Sequence, residues 1–270
     1  MASPDRGRSR RRYRLMVAAC VPLLGFLVLP TLVILPMALT GGDLIVFPPQ
    51  GFSVHAFADY LGDRQWIQST IMSFEIAVLA VSIAALAGTS AAVALHGRRF
   101  PGKGIVTGLI LAPIVVPLVV LGLGDYLLFA ALGVLGGWVG IGVAHGVLVT
   151  PYVFISVATS LTAGLNPALV RSARSLGARP AAVLWHVHWP ALRPGLCAGA
   201  VLAFAVSFDE VVLAWFLQGP QATTLPVRMF TAVQFELTPK IMASASLFIA
   251  LATVTLLAQA LIARPRRELA

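Results

Sequence analysis

Asp209 and Glu210 stand side by side in AVSFDEVVLAWFLQG, an otherwise apolar stretch that runs from Ala205 to Gly219. An ionised carboxylate at mid-bilayer costs roughly 2.5–3.5 kcal/mol on insertion scales, so such groups usually face a cavity or a partner. Adjacent residues of one helix point about 100° apart, so both acids cannot share a face. We expect one acid to face a solute path and the other to contact a neighbouring span or subunit.

Two more acids, Glu75 in SFEIAV and Asp125 in GLGDYLLF, lie in or near apolar runs and are further candidates for this path. No lysine or arginine falls inside these runs, so a cationic solute or a partner residue is the expected counter-charge. The alternative is that the acids bind Ser207, Tyr126 or backbone groups and fix helix packing. We favour the path for the adjacent pair, and packing for Glu75 and Asp125.

Two other patterns suggest phosphate or metal binding, but neither has all the residues that this binding requires. Gly97–Gly104, GRRFPGKG, nearly matches a phosphate-binding loop, but Gly104 stands where a Mg²⁺-binding hydroxyl is required. His186 and His188 are two residues apart and diverge on a helix, and no zinc-binding spacing occurs elsewhere. We therefore expect no metal or cofactor bound by this chain and no enzymatic activity of its own, and any ATP and Mg²⁺ would be bound by a partner.

The composition predicts a membrane protein, because 59% of the 270 residues are hydrophobic and 11% are charged. A helix needs roughly 20 apolar residues to cross a bilayer. An all-α protein with six transmembrane helices is therefore expected. The predicted spans are Leu15–Leu39, Trp66–Leu95, Ile105–Leu132, Trp138–Leu161, Leu196–Leu217 and Ile241–Ala263.

The basic residues predict the orientation, because cytoplasmic loops carry the excess of lysine and arginine. Sixteen of the 19 such residues fall on one side of the six spans, which places both termini in the cytoplasm. Residues 1–14 form a basic arm, 15–263 the transmembrane domain and 264–270 a tail. The net charge of +9 indicates topology and contact with lipid headgroups, with no nucleic-acid partner expected. SRRRYRLMVAAC resembles a twin-arginine export signal, but we expect a retained anchor because no cleavage site follows.

The loop at residues 163–195 carries its own helix signals. Asn166 and Pro167 are an N-cap and a first-turn proline, and Gly177 is a helix-terminating glycine. Pro180 should start a second short helix that stops before Pro190. In the first helix, an apolar stripe recurs at spacings of three and four residues. This amphipathic helix fits either a membrane surface or a groove on a cytosolic partner. The stripe consists of Leu165, Leu169, Ala173 and Leu176.

The segment ARSLGARPAAVLWHVHWP resembles the cytoplasmic coupling loop of permease subunits of ATP-binding cassette (ABC) importers. That loop typically reads Glu-Ala-Ala, three residues, Gly, nine residues, Ile-x-Leu-Pro. The corresponding residues here are Arg171, Ser172 and Ala173, then Leu176 and Gly177, and finally Val187 and Pro190. Arginine replaces the usual leading acid.

From Ser207 onward, SFDEVVLAWFLQGPQATTLPVRMF resembles the second permease of spermidine/putrescine-type importers. The resemblance implies a type I importer permease in the bacterial inner membrane. It also implies a homologous permease, two cytosolic ATP-binding subunits and an extracytoplasmic binding protein as partners. The substrate expected is a polyamine, with aminophosphonate or iron as alternatives. The loop Gly219–Lys240 should hold one short helix that either docks the binding protein or lies on the membrane. The competing hypothesis is an ATP-independent carrier whose acids relay protons.

Overall fold

The computed structural model describes residues 5–42, 45–49 and 51–262, and within these ranges the chain is helical without a β-strand. The helices are α1 Asp5–Ala38, α2 His55–Gly62, α3 Arg64–Leu95, α4 Lys103–Val115, α5 Leu118–Ala131, α6 Trp138–Gly164, α7 Pro167–Ser175, α8 Pro180–Val183, α9 Trp189–Phe208, α10 Val212–Leu217, α11 Leu225–Phe235 and α12 Lys240–Ile262. A π-helical turn, Leu184–His188, joins α8 to α9.

The long apolar helices of the described residues agree with the predicted spans. Five are long enough to cross a membrane, and a sixth span results if the bent pair α4 and α5 is counted as one. The predictions Trp66–Leu95 and Trp138–Leu161 correspond to α3 and α6 within a few residues. Part of the predicted arm, residues 5–14, is already helical in α1. Residues 1–4, and the tail from residue 263 onward, lie outside the described residues.

The third predicted span, Ile105–Leu132, is bent by 103° between α4 and α5. Pro117 lacks an N–H group and precedes α5, and the extended Val116 ends α4. The bent pair nevertheless runs from one end of the bundle to the other. This follows because α3, which precedes the pair in the chain, and α6, which follows it, run parallel. Gly142 of α6 packs on Leu79 of α3, and Gly146, one turn later, packs on Ile83. The chain between these helices must therefore return to its starting end.

Among the described residues, internal contacts define two compact units, one within residues 5–63 and 232–250 and the other within residues 64–231 and 251–262. In the first unit, the Lys240 Nζ donates to Asp63 Oδ2 at 2.6 Å, and both side chains are partly buried. The Ser53 N–H donates to the Leu39 carbonyl at 2.7 Å. These contacts fix the start of α12 and the residues that follow α1.

The second unit is built on α3, α6 and α9, which meet at small residues. A β-carbon at Gly88 of α3 would lie 2.9 Å from the Phe154 nitrogen of α6. At Gly199 of α9 it would lie 2.9 Å from the Val153 Cα of α6. Small residues at crossings let membrane helices approach to backbone contact. We call the end where α6 passes into α7 the α7 end, and the opposite end of these helices the Asp209 end.

The second helix of the 163–195 loop was predicted wrongly. It does not stop before Pro190, since the π-helical turn carries α8 directly into α9, with Pro190 in the first turn of α9. Pro190 has no N–H to donate to the helix ladder, and the π-helical turn directly before it is where the hydrogen-bond pattern changes. A single apolar helix of 29 residues therefore runs from Pro180 to Phe208. It replaces the predicted span Leu196–Leu217.

Ser160 of α6 contacts this helix beside its third proline, Pro194. The Ser160 hydroxyl donates to the Ala191 carbonyl at 2.7 Å and accepts the Gly195 N–H at 3.2 Å. Pro194 lies inside α9 and cannot donate to the helix ladder. Serine side chains satisfy backbone groups at such sites in membrane helices.

We expect Gly195→Ala to destabilise the chain by about 3 kcal/mol, at the upper end for overpacking. A β-carbon there would overlap the Ser156 carbonyl oxygen and lie 2.5 Å from Ser160 Cβ, so α6 and α9 must separate. The measurement is the apparent Tm of the detergent-solubilised protein, expected to fall by about 5–10 °C. Gly108→Ala is the matched control, since nothing lies within 4 Å of a β-carbon there. Equal Tm values for both variants would contradict the close crossing.

Candidate functional site

The adjacent acids lie at a break in the fifth span. α9 ends at Phe208 and α10 begins at Val212, so the one-helix geometry assumed for Asp209 and Glu210 is wrong. Asp209 caps α9, with its N–H donated to the Ala205 carbonyl at 3.2 Å, and it is exposed. Glu210 is buried, with 6% of its surface exposed. The two carboxylates therefore face different surroundings.

Glu210 stabilises the start of α10. Its Oε1 accepts the Val212 N–H at 2.8 Å, and its Oε2 accepts the Ala214 N–H at 3.1 Å. These N–H groups belong to the first turn of α10 and have no partner within the helix. A carboxylate at this position also interacts favourably with the helix dipole. Glu210, which lies in the break between α9 and α10, therefore stabilises that break.

His145 of α6 is the basic side chain that lies beside Glu210. It is fully buried, and its Nδ1 lies 3.0 Å from Ser207 Oγ. Its Nε2 lies 3.3 Å from Glu210 Oε2, at ion-pair distance though outside hydrogen-bond alignment. Glu210 therefore has a basic neighbour within this chain, and neutralisation of the acids by a cationic solute or a partner residue stays a prediction. A histidine inside an apolar span is itself a sign of a buried polar partner.

The other two acids lie in separate places. Asp125 of α5 is half-buried and within electrostatic range of His145. Glu75 of α3 is exposed and lines a cavity of about 640 Å³ at the Asp209 end of the second unit. The structure thus places Glu210 and Asp125 near the His145 imidazole, leaves Asp209 exposed at the end of α9, and places Glu75 in the lining of the cavity. The exposed acids, Asp209 and Glu75, are the ones that a solute can contact directly.

The first helix of the 163–195 loop has the predicted form. The Asn166 Oδ1 accepts the Ala168 N–H at 2.9 Å and caps α7, and Pro167 is its first residue. Gly177 has a φ of +80°, and its N–H donates to the Arg174 carbonyl at 3.0 Å. The Ala178 N–H donates to the Ala173 carbonyl at 3.0 Å, which completes a glycine-centred helix end.

An apolar depression of about 760 Å³ lies between α7 and the start of α9. Leu169 and Leu176 of the predicted stripe line it, and they are 58% and 87% exposed. The matched motif residues Ser172, Ala173, Val187 and Pro190 also line it, and Arg171 is exposed. Large exposed leucines on a short capped helix form a surface that suits a partner.

The fold and this loop together define a permease of the ABC importer class. One solved structure, a bacterial ABC transporter involved in the import of the acidic polysaccharide alginate, superposes with a TM-score of 0.71. The match covers 97% of this chain and 98% of that one at 14% sequence identity, so it concerns the fold. The prediction of a type I importer-like helical architecture is confirmed.

Residues 84–268 match the family described as binding-protein-dependent transport system inner membrane component, and the chain belongs to this family. The putrescine transport system permease protein PotI of Escherichia coli (strain K12) is 35% identical over 226 residues, 81% of this chain and 80% of PotI. The spermidine/putrescine transport system permease protein PotC of the same strain is 30% identical over 219 residues, 81% of this chain and 83% of PotC. The predicted family and inner-membrane location are confirmed.

Proposed function

We propose that this permease imports a small organic cation of polyamine type. The observation that carries the proposal is the similarity to PotI and PotC, which extends over 81% of the chain in each case. The site agrees with a cationic substrate, since Asp209 and Glu75 present exposed carboxylates at the Asp209 end. An exposed carboxylate within an apolar segment interacts favourably with a cationic substrate that moves along the path beside it.

The proposed partners are a homologous permease, two cytosolic ATP-binding subunits and an extracytoplasmic binding protein. The excess of basic residues in the loops at the α7 end supports a cytoplasmic position for that end. The exposed Leu169 and Leu176 then support docking of α7 in a groove of the ATP-binding subunit. The sequence analysis left two binding surfaces open for this amphipathic helix, the membrane and a groove on a protein. We choose the protein groove because the Leu176 side chain is almost fully exposed.

In this proposal the chain converts motion of the ATP-binding subunits into alternating access. α7 receives the motion, and the continuous helix from Pro180 to Phe208 carries it to the break beside Asp209. ATP and Mg²⁺ would be bound by the partner. In the stretch Gly97–Gly104, Gly97 and Gly102 have φ values of +66° and +89°, and Lys103 and Gly104 already belong to α4.

We expect cells that lack polyamine importers to take up labelled putrescine or spermidine when they produce this chain together with the ATP-binding subunits, second permease and binding protein encoded with it. Uptake should fall to background when the ATP-binding subunit carries an inactivating substitution at its phosphate-binding lysine. Labelled aminoethylphosphonate and ferric iron serve as competing substrates. Import of either one in place of the amines would refute the polyamine assignment, and uptake without ATP hydrolysis would indicate a secondary carrier.

A further inference from the structure

Two tryptophan rings lie stacked on the surface at the α7 end. Trp185 belongs to the π-helical turn, and Trp189 is the first residue of α9. Their ring centres are 5.6 Å apart, and the ring planes are inclined by 3°. The two residues are 63% and 37% exposed, and neither lines the depression beside α7. The chain therefore presents to its surroundings a flat apolar surface that carries two indole N–H donors.

The position of this ring pair along the helix places it at the edge of the bilayer hydrocarbon. α9 has 20 residues, which is about the length that crosses the hydrocarbon. Its first residue, Trp189, therefore lies at one boundary, and Trp185 lies one turn further out. Tryptophan is enriched at this boundary, because its ring is apolar and its N–H group needs a polar partner. The ring pair is thus at the depth of the lipid headgroups.

Arg193 brings a positive charge to the same face of the helix. It follows Trp189 by four residues, the spacing at which helical side chains are neighbours, and it is exposed. Helical side chains lean toward the N-terminal end, so the Arg193 guanidinium extends back toward the Trp189 turn and the headgroups. No Asp or Glu occurs in residues 76–124 or 126–208, which contain the loops of the α7 end. These parts of the chain therefore carry positive charge without an acid of their own.

The same face continues beyond Arg193 as an apolar row along α9. Cys197, Ala200 and Phe204 follow at spacings of four, three and four residues, which keeps them on one side of the helix. Cys197 is exposed, and the other two are partly exposed. The face is therefore apolar along the membrane-spanning part of α9 and cationic at the boundary. A phospholipid has the matching arrangement, with an acyl chain below a phosphate group.

We propose that Trp185, Trp189 and Arg193 bind one anionic phospholipid. The Arg193 guanidinium donates hydrogen bonds to the phosphate oxygens, and the indole rings pack against the glycerol and the first methylene groups. One acyl chain lies along the row from Cys197 to Phe204. A headgroup with a net negative charge is preferred, because a headgroup ammonium would meet the positive surface of the α7 end without a carboxylate to pair with. The site goes beyond the proposed function, since it does not depend on the transported substrate.

Native mass spectrometry of the full-length chain, released from a mild detergent, tests the site. The probes are phosphatidylglycerol and phosphatidylcholine with identical acyl chains, each titrated separately to give a Kd for the first bound lipid. We expect the Kd of phosphatidylglycerol to be about tenfold lower, the effect of one charge-assisted contact. Arg193→Gln should abolish this preference, and Arg193→Lys should keep most of it. Replacing both tryptophans with leucine should weaken the binding of both lipids about threefold.

Matched variants separate this site from general effects on charge and folding. Arg99→Gln removes an exposed arginine from another loop of the α7 end. Trp138→Leu removes an exposed tryptophan from the start of α6, at the opposite end of that helix from α7. Both variants should bind the two lipids like the wild type, with an unchanged apparent Tm.

Three results would overturn the lipid site. Equal Kd values for the two lipids in the wild type, or an unchanged preference in Arg193→Gln, would show that the arginine selects no headgroup. Displacement of phosphatidylglycerol by inorganic phosphate would indicate a site for a free anion. Loss of the bound lipid from the assembled importer, measured in the same way, would show that a partner subunit covers the indole rings.

Discussion

Gly177→Pro is expected to reduce uptake by the assembled importer to less than about a tenth of the wild-type rate. Gly177 has a φ of +80°, and its N–H donates to the Arg174 carbonyl. Proline fixes φ near −65°, has no N–H and disfavours helical geometry in the residue before it. The end of α7 would unwind, so the exposed leucines would lose the fixed position that docking to an ATP-binding subunit requires.

The measurements for this variant are uptake, substrate-stimulated ATP hydrolysis and the amount of chain in the membrane. We expect the first two to be lost and the third to be unchanged, because α7 lies outside the core of α3, α6 and α9. Gly177→Asn is the matched control, since asparagine adopts positive φ more readily than other residues and keeps the N–H. Near-normal uptake in Gly177→Pro would exclude a coupling role for this turn.

Glu210→Ala is expected to cost about 3 kcal/mol of stability, because hydrogen bonds to a charged group contribute about 1.5–3 kcal/mol each. The substitution leaves His145 without its carboxylate and leaves the Val212 and Ala214 N–H groups without their acceptor. Glu210→Gln retains an amide oxygen for one of these N–H groups and should cost less. The apparent Tm and the fraction recovered as monodisperse protein in detergent are the measurements.

A double-mutant cycle with His145→Ala identifies the interaction behind this loss. The double variant should be more stable than the sum of the single effects predicts, because the alanine at 145 leaves no buried imidazole unpaired. Asp209→Asn, one residue away and exposed, should change stability by less than about 0.5 kcal/mol. Additive effects of the two alanine substitutions would show that the 3.3 Å contact is energetically unimportant.

Features encoded by neighbouring residues could be predicted from the sequence. Asn166 and Pro167 predicted the start of α7, and Gly177 predicted its end. Long apolar runs predicted α3 and α6. Each of these depends on propensity, capping or burial within one segment. The helix in the loop Gly219–Lys240 was likewise predicted and corresponds to α11.

Features that depend on distant residues could not be predicted in the same way. The break at Asp209–Val211 contains neither proline nor glycine, and it exists because Glu210 caps α10 and binds His145, 65 positions earlier in the chain. Helix passage through Pro190 depends on a π-helical turn, whose residues Leu184–His188 have ordinary helical propensities. The hydroxyl of Ser160 that bridges Ala191 and Gly195 becomes visible only once α6 and α9 are placed together.

The uninterrupted helix from Pro180 to Phe208 sets a mechanical property of this protein. At 1.5 Å per residue, its 29 residues extend for about 40 Å, which exceeds the thickness of bilayer hydrocarbon. Ser160 of α6 contacts it at Ala191 and Gly195, close to the middle of its length. A rigid tilt about this contact would therefore displace the Pro180 end and the Asp209 end by similar distances in opposite directions.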